Sequence, residues 1–492
     1  MKKTVLFVAL CCLAICRQHA LADTSATVVA VGDYNSRTLN EVIALGLPVL
    51  YLETVEHEEP TCEYVSAPSG CMGATIRNAT KVPGRLIVYQ LIDGNDSVLY
   101  DSGDYEKDVS GMTIKLRGNT SAYEAKKPYK IKLQKKFDLL FGGNDSVYKD
   151  KEWLLLKDDY MTTIAGFKVS ELVGMVWTPR HHFVNVVING SYRGTYLLCE
   201  SVKRNPDCRL NVDKNSGFIF ECDPYWWNED VYVLSERNPS YNYTFKYPDD
   251  EDITQEQLDY MQALVNAYEA SLKATNYPDL IDVRSFAAWC LVHDISGTKD
   301  SGGANRYYTK YDTTPESKIV MPLAWDFDMA ERTYSAWSKS HTSHMTNLFN
   351  NTNRAFVGEF VDLWYAMRRT FLNDITGYMT AFSQSDEGIA LNASLALNQI
   401  VYGTSLSVNN NATGRNTWYN SRYSWLDKTI MALVKQGDVN LDGLIDIGDV
   451  TAIIDMILNG SGGNCRAADI DGSGAIDIID VTMLISSVLG VN

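Results

Sequence analysis

Three things are scarce in these 492 residues: cysteine, long apolar runs and positive charge. There are ten cysteines, and Cys11, Cys12 and Cys16 fall within the first 22 positions. The remainder are too few to staple a chain of this size, so a disulfide scaffold is excluded. Cys62 with Cys71, and Cys199 with Cys208, are nonetheless close enough to be candidate pairs in an oxidising compartment, and the odd remainder leaves at least one thiol free. Beyond the N-terminus no apolar stretch approaches the ~20 residues that cross a bilayer, so no membrane span is expected. Lys and Arg total 44 against 61 Asp and Glu, a formal net charge of −17. That balance argues against nucleic acid or an anionic lipid surface as a partner.

The chain opens MKKTVLFVALCCLAICRQHALA. Two lysines, an apolar run and an Ala-Leu-Ala ending read as a bacterial-type signal peptide over residues 1–22, which implies a secreted or cell-surface product.

Between residues 47 and 133 short apolar or alternating runs are split by turns (LPVLYLETV, GRLIVYQLI, SVLYDSGDY, MTIKLRGN, KPYKIKLQKK). The pattern predicts a β-rich lobe. In KPYKIKL, Tyr129, Ile131 and Leu133 fall on one face and Lys130 and Lys132 on the other. After the turn Arg117-Gly118-Asn119 such a strand offers N–H and ammonium groups to phosphates; as a plain structural element it reads as an edge strand whose lysines deter pairing. WLLLKDDYMTTIAGF passes from strand into helix, and HHFVNVVINGSYRGTYLLCESV is a hairpin around Asn189-Gly190 that ends at Glu200. Residues 253–274 repeat apolar positions at helical spacing behind a Thr254/Gln257 capping box, and a second helix spans 283–293.

The second helix leads into residues 289–328, which carry the densest chemistry. Asp300 is followed five residues on by Asn305, and Asp326 and Asp328 close the apolar run IVMPLAW, which reads as a buried strand. On a strand those two carboxylates share a face, where they repel unless a cation lies between them. Mg²⁺ takes such oxygen ligands together with phosphate oxygens, and an Asp with an Asn five residues later is the spacing of protein kinases. Lys299, five residues past Asp294, cannot hold a cation, so Asp300 is preferred to Asp294 and His293 is read as a structural histidine. Residues 329–434 are rich in Trp, Tyr and Asn, with helical pieces but no motif.

Residues 437–492 repeat themselves, with nine Asp and one Arg. Asp438, Asn440, Asp442, Leu444, Asp446 and Asp449 occupy positions 1, 3, 5, 7, 9 and 12 of one calcium loop. Asp469, Asp471, Ser473, Ala475, Asp477 and Asp480 occupy the same positions of a second. So much like charge on two short helices requires cations, and two Ca²⁺ are expected.

This segment resembles a type I dockerin in its duplicated loops, Asp at position 12 and Asp-Val-Thr entering each helix. It departs from the family at positions 10 and 11, which are Ile447-Gly448 and Ile478-Ile479, so a more apolar docking face is implied. The resemblance implies a cohesin-bearing scaffold as partner.

Residues 47–328 resemble the CotH kinase family of atypical protein kinases. The likeness rests on RGNTSAYEAKKPYKIKL, the WLLLKDD and GSYRGTYLLCESV segments, and GTKDSGGANRYYTKYD followed by PLAWDFD. The family implies ATP-dependent phosphorylation of Ser or Thr in a protein substrate with Mg or Mn. By position, Asp300 is then the catalytic base, Asn305 and Asp326 are metal ligands and Asp328 a supporting one. Arg117, Lys127 and Lys130 become phosphate contacts and Glu200 a lysine's partner. The arginine that many members carry after WLLLKDD has no counterpart in YMTTIAG.

The fold expected is α+β: an atypical protein-kinase-like domain over 23–345 with a β-rich lobe to about 135, a helical extension over 346–434, and a small all-α calcium-binding dockerin over 437–492. Two other functions compete. One is a non-catalytic scaffold, since an exported kinase needs ATP outside the cytoplasm. The other is a glycan-acting enzyme using Asp326 and Asp328, although two carboxylates two residues apart are poorly placed to flank a glycosidic bond.

Overall fold

The computed structural model describes residues 23–30, 36–143, 145–158, 161–298, 305–331, 334–337, 343–460 and 463–490. The predicted signal peptide and Asp300 lie outside the described residues.

Seven strands close into a barrel: β3 (Val49–Thr54), β6 (Val82–Ile92), β8 (Met112–Leu116), β9 (Tyr129–Phe137), β10 (Asp150–Leu156), β11 (His181–Ile188) and β12 (Ser191–Glu200). Their spatial order is β9-β8-β6-β3-β11-β12-β10, and β10 pairs back onto β9. Only the β3–β11 contact in this ring is parallel. Short strands β1 (Thr27–Ala30) and β2 (Arg37–Thr38), the latter running into helix α1 (Leu39–Ile43), extend the sheet from β12. β7 (Asn95–Asp101) pairs with β6, while β4 (Glu63–Ser66) and β5 (Ala74–Arg77) form a separate hairpin.

Alternation fills the barrel. Leu50, Leu86, Ile114, Ile131, Trp153, Val186 and Leu198, one from each strand, meet in one buried cluster. Tyr129, Ile131 and Leu133 point inward together, as their spacing predicts. The lobe does not end near 135: WLLL and the 181–200 hairpin supply β10, β11 and β12 of the same barrel. The hairpin turn has positive φ at both Asn189 and Gly190 (50° and 74°), which matches the twist of the flanking strands.

A second sheet follows in the order β14 (Tyr232–Val233), β15 (Asn242–Tyr247), β13 (Phe218–Asp223), β16 (Arg306–Lys310) and β17 (Ile319–Val320). Phe220, Tyr243 and Tyr308 of this sheet pack beside Tyr268 and Phe286, which belong to helices α3 (Gln255–Ser271) and α4 (Val283–Ser296). The expected capping box forms at the start of α3, with Gln257 N–H donating to Thr254 at 3.2 Å and Thr254 N–H to Gln257 at 2.9 Å.

Helix α2 (Thr162–Val173) joins α4 against a helical layer of α5 (Ser343–Phe349), α6 (Ala355–Gln384), α7 (Asp386–Tyr402) and α8 (Val408–Met431). The C-terminal helices α9 (Ile447–Asn459), α10 (Cys465–Ala468) and α11 (Ile478–Leu489) share that apolar core through Val439, Ile453, Ala467 and Leu484. No helix among the described residues is long and apolar enough to cross a membrane.

Three expectations need correction. The run IVMPLAW is not a strand to its end: β17 stops at Val320, because Pro322 has no N–H for a ladder and its carbonyl instead accepts Trp177 N–H at 2.9 Å. β9 is not an edge strand, being paired on both sides by β8 and β10. Cys62, Cys71, Cys199 and Cys208 are separate thiols.

Candidate functional site

A cavity of about 600 Å³ opens between the barrel and the second sheet. On the barrel side it is walled by residues 117–121, the loop between β8 and β9, and by Leu156 and Lys157 at the end of β10. Gly118 turns that loop at φ 86°, a left-handed conformation that glycine adopts without the strain a side chain would bring. The opposite wall comes from Glu221 and Asp223 on β13, Lys246 on β15, Asn305 and Tyr307 at β16, and the turn carrying Asp326 and Asp328.

That turn brings both aspartates to the cavity by a different route from the expected strand. Asp326 has φ 65°, and Phe327 between the two is fully buried. Phe327 is held edge-on by Phe167 of α2 at 5.9 Å and stacks on His293 of α4 at 5.7 Å. Gly166 makes the approach possible, since a Cβ on it would lie 2.2 Å from the Phe327 ring. His293 is buried, and that burial lowers its pKa to about 3, so it is a neutral packing partner.

Asn305 sits opposite, also left-handed (φ 62°), and its side-chain N–H donates to Asp326 Oδ2 at 2.9 Å. Two non-glycine residues in this conformation, facing each other across 2.9 Å, mark backbone strain concentrated at one spot. Asp158, from WLLLKDD, caps α2: its carboxylate accepts Thr162 N–H and Thr163 N–H, both at 3.1 Å.

Of the cationic candidates, Arg117 lines the cavity, and its guanidinium has no ion pair with any described residue. Lys127 does not line it; its ammonium donates to the Ala122 carbonyl at 2.7 Å and Tyr64 OH at 3.0 Å. Lys130 lies on the outer face of the barrel, 2.7 Å from Glu152 on the neighbouring strand. Glu200 pairs with no described lysine: it is fully buried and accepts Arg180 N–H at 2.9 Å, with the Arg180 guanidinium 3.9 Å away.

The lysine–glutamate pair that faces the cavity is Lys246 with Glu221, 3.0 Å apart on adjacent strands. Burial works against the Lys246 charge, but Glu221, Tyr307, Asp223 and Glu229 together outweigh it and the ammonium pKa is raised. Sequence reasoning passed over this pair. The available signal was alternation: in FIFECD, Phe218 and Phe220 face the core while Glu221 and Asp223 share the opposite face, and a second strand carries Lys246 two residues from Thr244.

The C-terminal loops are built differently, each from its own backbone. Gly443 and Gly474, at position 6, have φ 93° and 89°. In loop 2, Asp480 Oδ1 accepts Ile470 N–H at 2.7 Å and Oδ2 accepts Asp477 N–H at 2.9 Å. In loop 1, Asp449 accepts Val439 N–H at 2.6 Å and Asp446 N–H at 2.9 Å in the same way. Asp442, Asp446, Asp471 and Asp477 each accept a backbone N–H two residues on, and the Asn440 side chain donates to Asp442 at 3.0 Å. Asp438 accepts Gly443 N–H at 3.2 Å, and the Ala475 carbonyl accepts Ser473 Oγ–H at 3.3 Å. Leu444 projects to solvent.

Asp469, Asp471 and Asp480 bring ligand oxygens within 4.8 Å of one another. Asp469 Oδ1 is buried with no hydrogen-bond partner, a cost that a cation removes, so the residues fit calcium. At positions 10 and 11, Ile447, Ile478 and Ile479 are 67%, 68% and 51% exposed, which makes an apolar outer face.

A family model described as CotH kinase protein matches residues 114–375, so it begins later and runs further than the motifs of 47–328, ending inside α6. A second, described as dockerin type I domain, matches residues 436–489. No curated protein matches the chain. Type I dockerins bind calcium, imply a cohesin partner and belong to proteins that are generally extracellular or on the cell surface. With more than half of its residues inside the first match, and both walls of the cavity drawn largely from that stretch, the chain belongs to the CotH kinase family and ends in a type I dockerin.

Proposed function

We propose that this chain is an atypical protein kinase that transfers the γ-phosphate of ATP to serine or threonine hydroxyls of proteins with Mg²⁺ or Mn²⁺. Its signal peptide exports it, and its dockerin attaches it to a cohesin-bearing complex. The observation that carries the reading is the 2.9 Å contact of Asn305 with Asp326 on the wall of a cavity that also presents Arg117 and Lys246.

An amide oxygen and two carboxylates are a hard-oxygen set suited to Mg²⁺. In this reading Asn305 and Asp326 hold the metal and Asp328 supports it. A bound Mg²⁺ supplies charge neutralisation for the phosphates. Arg117 and Lys246 take phosphate oxygens from opposite walls, with Glu221 aiming the Lys246 ammonium into the cavity. Asp300 accepts the proton of the attacking hydroxyl. The barrel and the second sheet with its helices act as the two lobes of an atypical kinase, with the nucleotide between them. Family membership supports the reaction class, and the donor set supports the metal.

The test is incubation of the chain with γ-labelled ATP, Mg²⁺ or Mn²⁺ and a protein acceptor. Label should appear on Ser or Thr, and Asp300→Ala should lower the rate at least about 100-fold. Wild type that neither transfers phosphate nor binds nucleotide returns the chain to a non-catalytic scaffold, and release of reducing sugar from glycans would make it a glycan-acting enzyme.

A further inference from the structure

The two calcium loops are near-copies in sequence, but the molecule treats them differently. Apart from Asp438 N–H, which donates to the Lys435 carbonyl at 3.1 Å, loop 1, residues 438–449, makes its hydrogen bonds within the C-terminal module; among the described residues no side chain of α1–α8 bonds to it. Its contact with α6 is apolar, Leu441 lying against Gly358.

Loop 2, residues 469–480, is gripped by two polar side chains of α6. Tyr365 and Arg369 are four residues apart and so share one face of that helix. The Tyr365 hydroxyl donates to Asp469 Oδ2, the oxygen that also accepts Gly474 N–H at 3.0 Å. Both donors therefore occupy one oxygen of the first loop residue, and the other, Oδ1, is the buried atom left without a partner. Arg369 donates to the Ser473 and Gly472 carbonyls at 2.8 and 3.0 Å. Its guanidinium passes so near the loop that a Cβ on Gly474 would stand 2.2 Å from Nη1. One turn earlier on α6, Asp362 accepts Asn464 Nδ2–H at 2.8 Å and Cys465 N–H at 2.9 Å, which seats the start of α10.

We infer that loop 2 and helix α6 form a single calcium-dependent interface: Tyr365 orients Asp469 for the cation, Arg369 fixes the loop to the helix, and calcium in loop 2 locks the dockerin onto the catalytic region. A carboxylate whose second oxygen is tied by two donors loses less rotamer freedom when its first oxygen takes a metal, so loop 2 binds more tightly in the whole chain than loop 1. Locking also costs nothing on the outer face, because Ile447, Ile478 and Ile479 stay exposed while α6 is engaged. The dockerin is thus held at a fixed position on the kinase region, with its apolar face free. This rests on calcium binding by the dockerin and not on the phosphotransfer reading.

The test uses the full chain. Tyrosine-sensitised terbium emission should arise from loop 2, and Tyr365→Phe should abolish it, as should Asp469→Ala. In calcium calorimetry Tyr365→Phe should weaken the tighter of two sites about tenfold and leave the weaker one unchanged. By hydrogen exchange, Arg369→Ala should deprotect residues 358–369 and the start of α10 while α9 and α11 stay protected in calcium. Equal affinities in the two loops that Tyr365→Phe does not alter, or unchanged exchange at 358–369 in Arg369→Ala, overturn the inference. Binding of no calcium by either loop overturns it together with the calcium reading, and a normal phosphotransfer assay then shows that the kinase reading is untouched.

Discussion

The cavity and the calcium loops both gather carboxylates, but they hold them by opposite means. In each loop the ligand residues lie within twelve consecutive positions and are aimed by N–H groups of the loop itself, to which Tyr365 of α6 adds a hydroxyl on Asp469 of loop 2. In the cavity Arg117, Lys246, Asn305 and Asp326 come from the loop after β8, from β15, from the residue just before β16 and from a turn, so the scaffold does the aiming: a closed barrel on one side, a sheet backed by helices on the other. A local site with a net charge of −8 in 56 residues depends on its ion to exist. A scaffolded site stands before its ligand arrives.

The sharpest way to break that comparison is to remove the ions. Chelation should unfold residues 437–490, seen as loss of amide protection in α9 and α11, while the barrel keeps its protection; loss of both, or of neither, would contradict the contrast. Next in size is the cavity's charge. Lys246→Ala leaves Glu221 without its partner and should lower kcat/KM for ATP by roughly 10- to 100-fold, with Lys246→Arg recovering part of it.

A purely steric change should come third. Gly166→Ala pushes against Phe327, costs about 1–3 kcal/mol by thermal melting, and weakens nucleotide binding by shifting the turn that carries Asp326 and Asp328. The smallest effect belongs to Lys130→Ala. It breaks a partly exposed pair with Glu152 on the barrel's outer face, worth under about 1 kcal/mol, and should leave KM for ATP unchanged.

The same contrast explains what the sequence made legible. Ligand spacing in the loops is a property of consecutive residues, so the loops could be numbered position by position, and Asp469, Asp471 and Asp480 of the second do come together. Tyr129, Ile131 and Leu133 could be put on one face because a strand alternates, yet nothing local says that β9 pairs with both β8 and β10, and that pairing is what sends Lys130 to the outside and towards Glu152. Asp326 and Asp328 were found through a strand that Pro322 forbids; they reach the cavity through a left-handed turn pinned by Phe327. Lys246 and Glu221 lie 25 positions apart and have meaning only once β13 and β15 are paired. The grip of Tyr365 and Arg369 on loop 2 was equally hidden, because neither residue belongs to the repeat.

The central claim is that the cavity holds a nucleotide against a divalent metal, and calorimetric titration of ATP into the full chain with and without Mg²⁺ tests it most directly. Mg²⁺-dependent binding that Asp326→Ala abolishes, with the barrel's melting unchanged, is the predicted result. Absence of ATP binding by wild type at millimolar nucleotide, with or without metal, would contradict it.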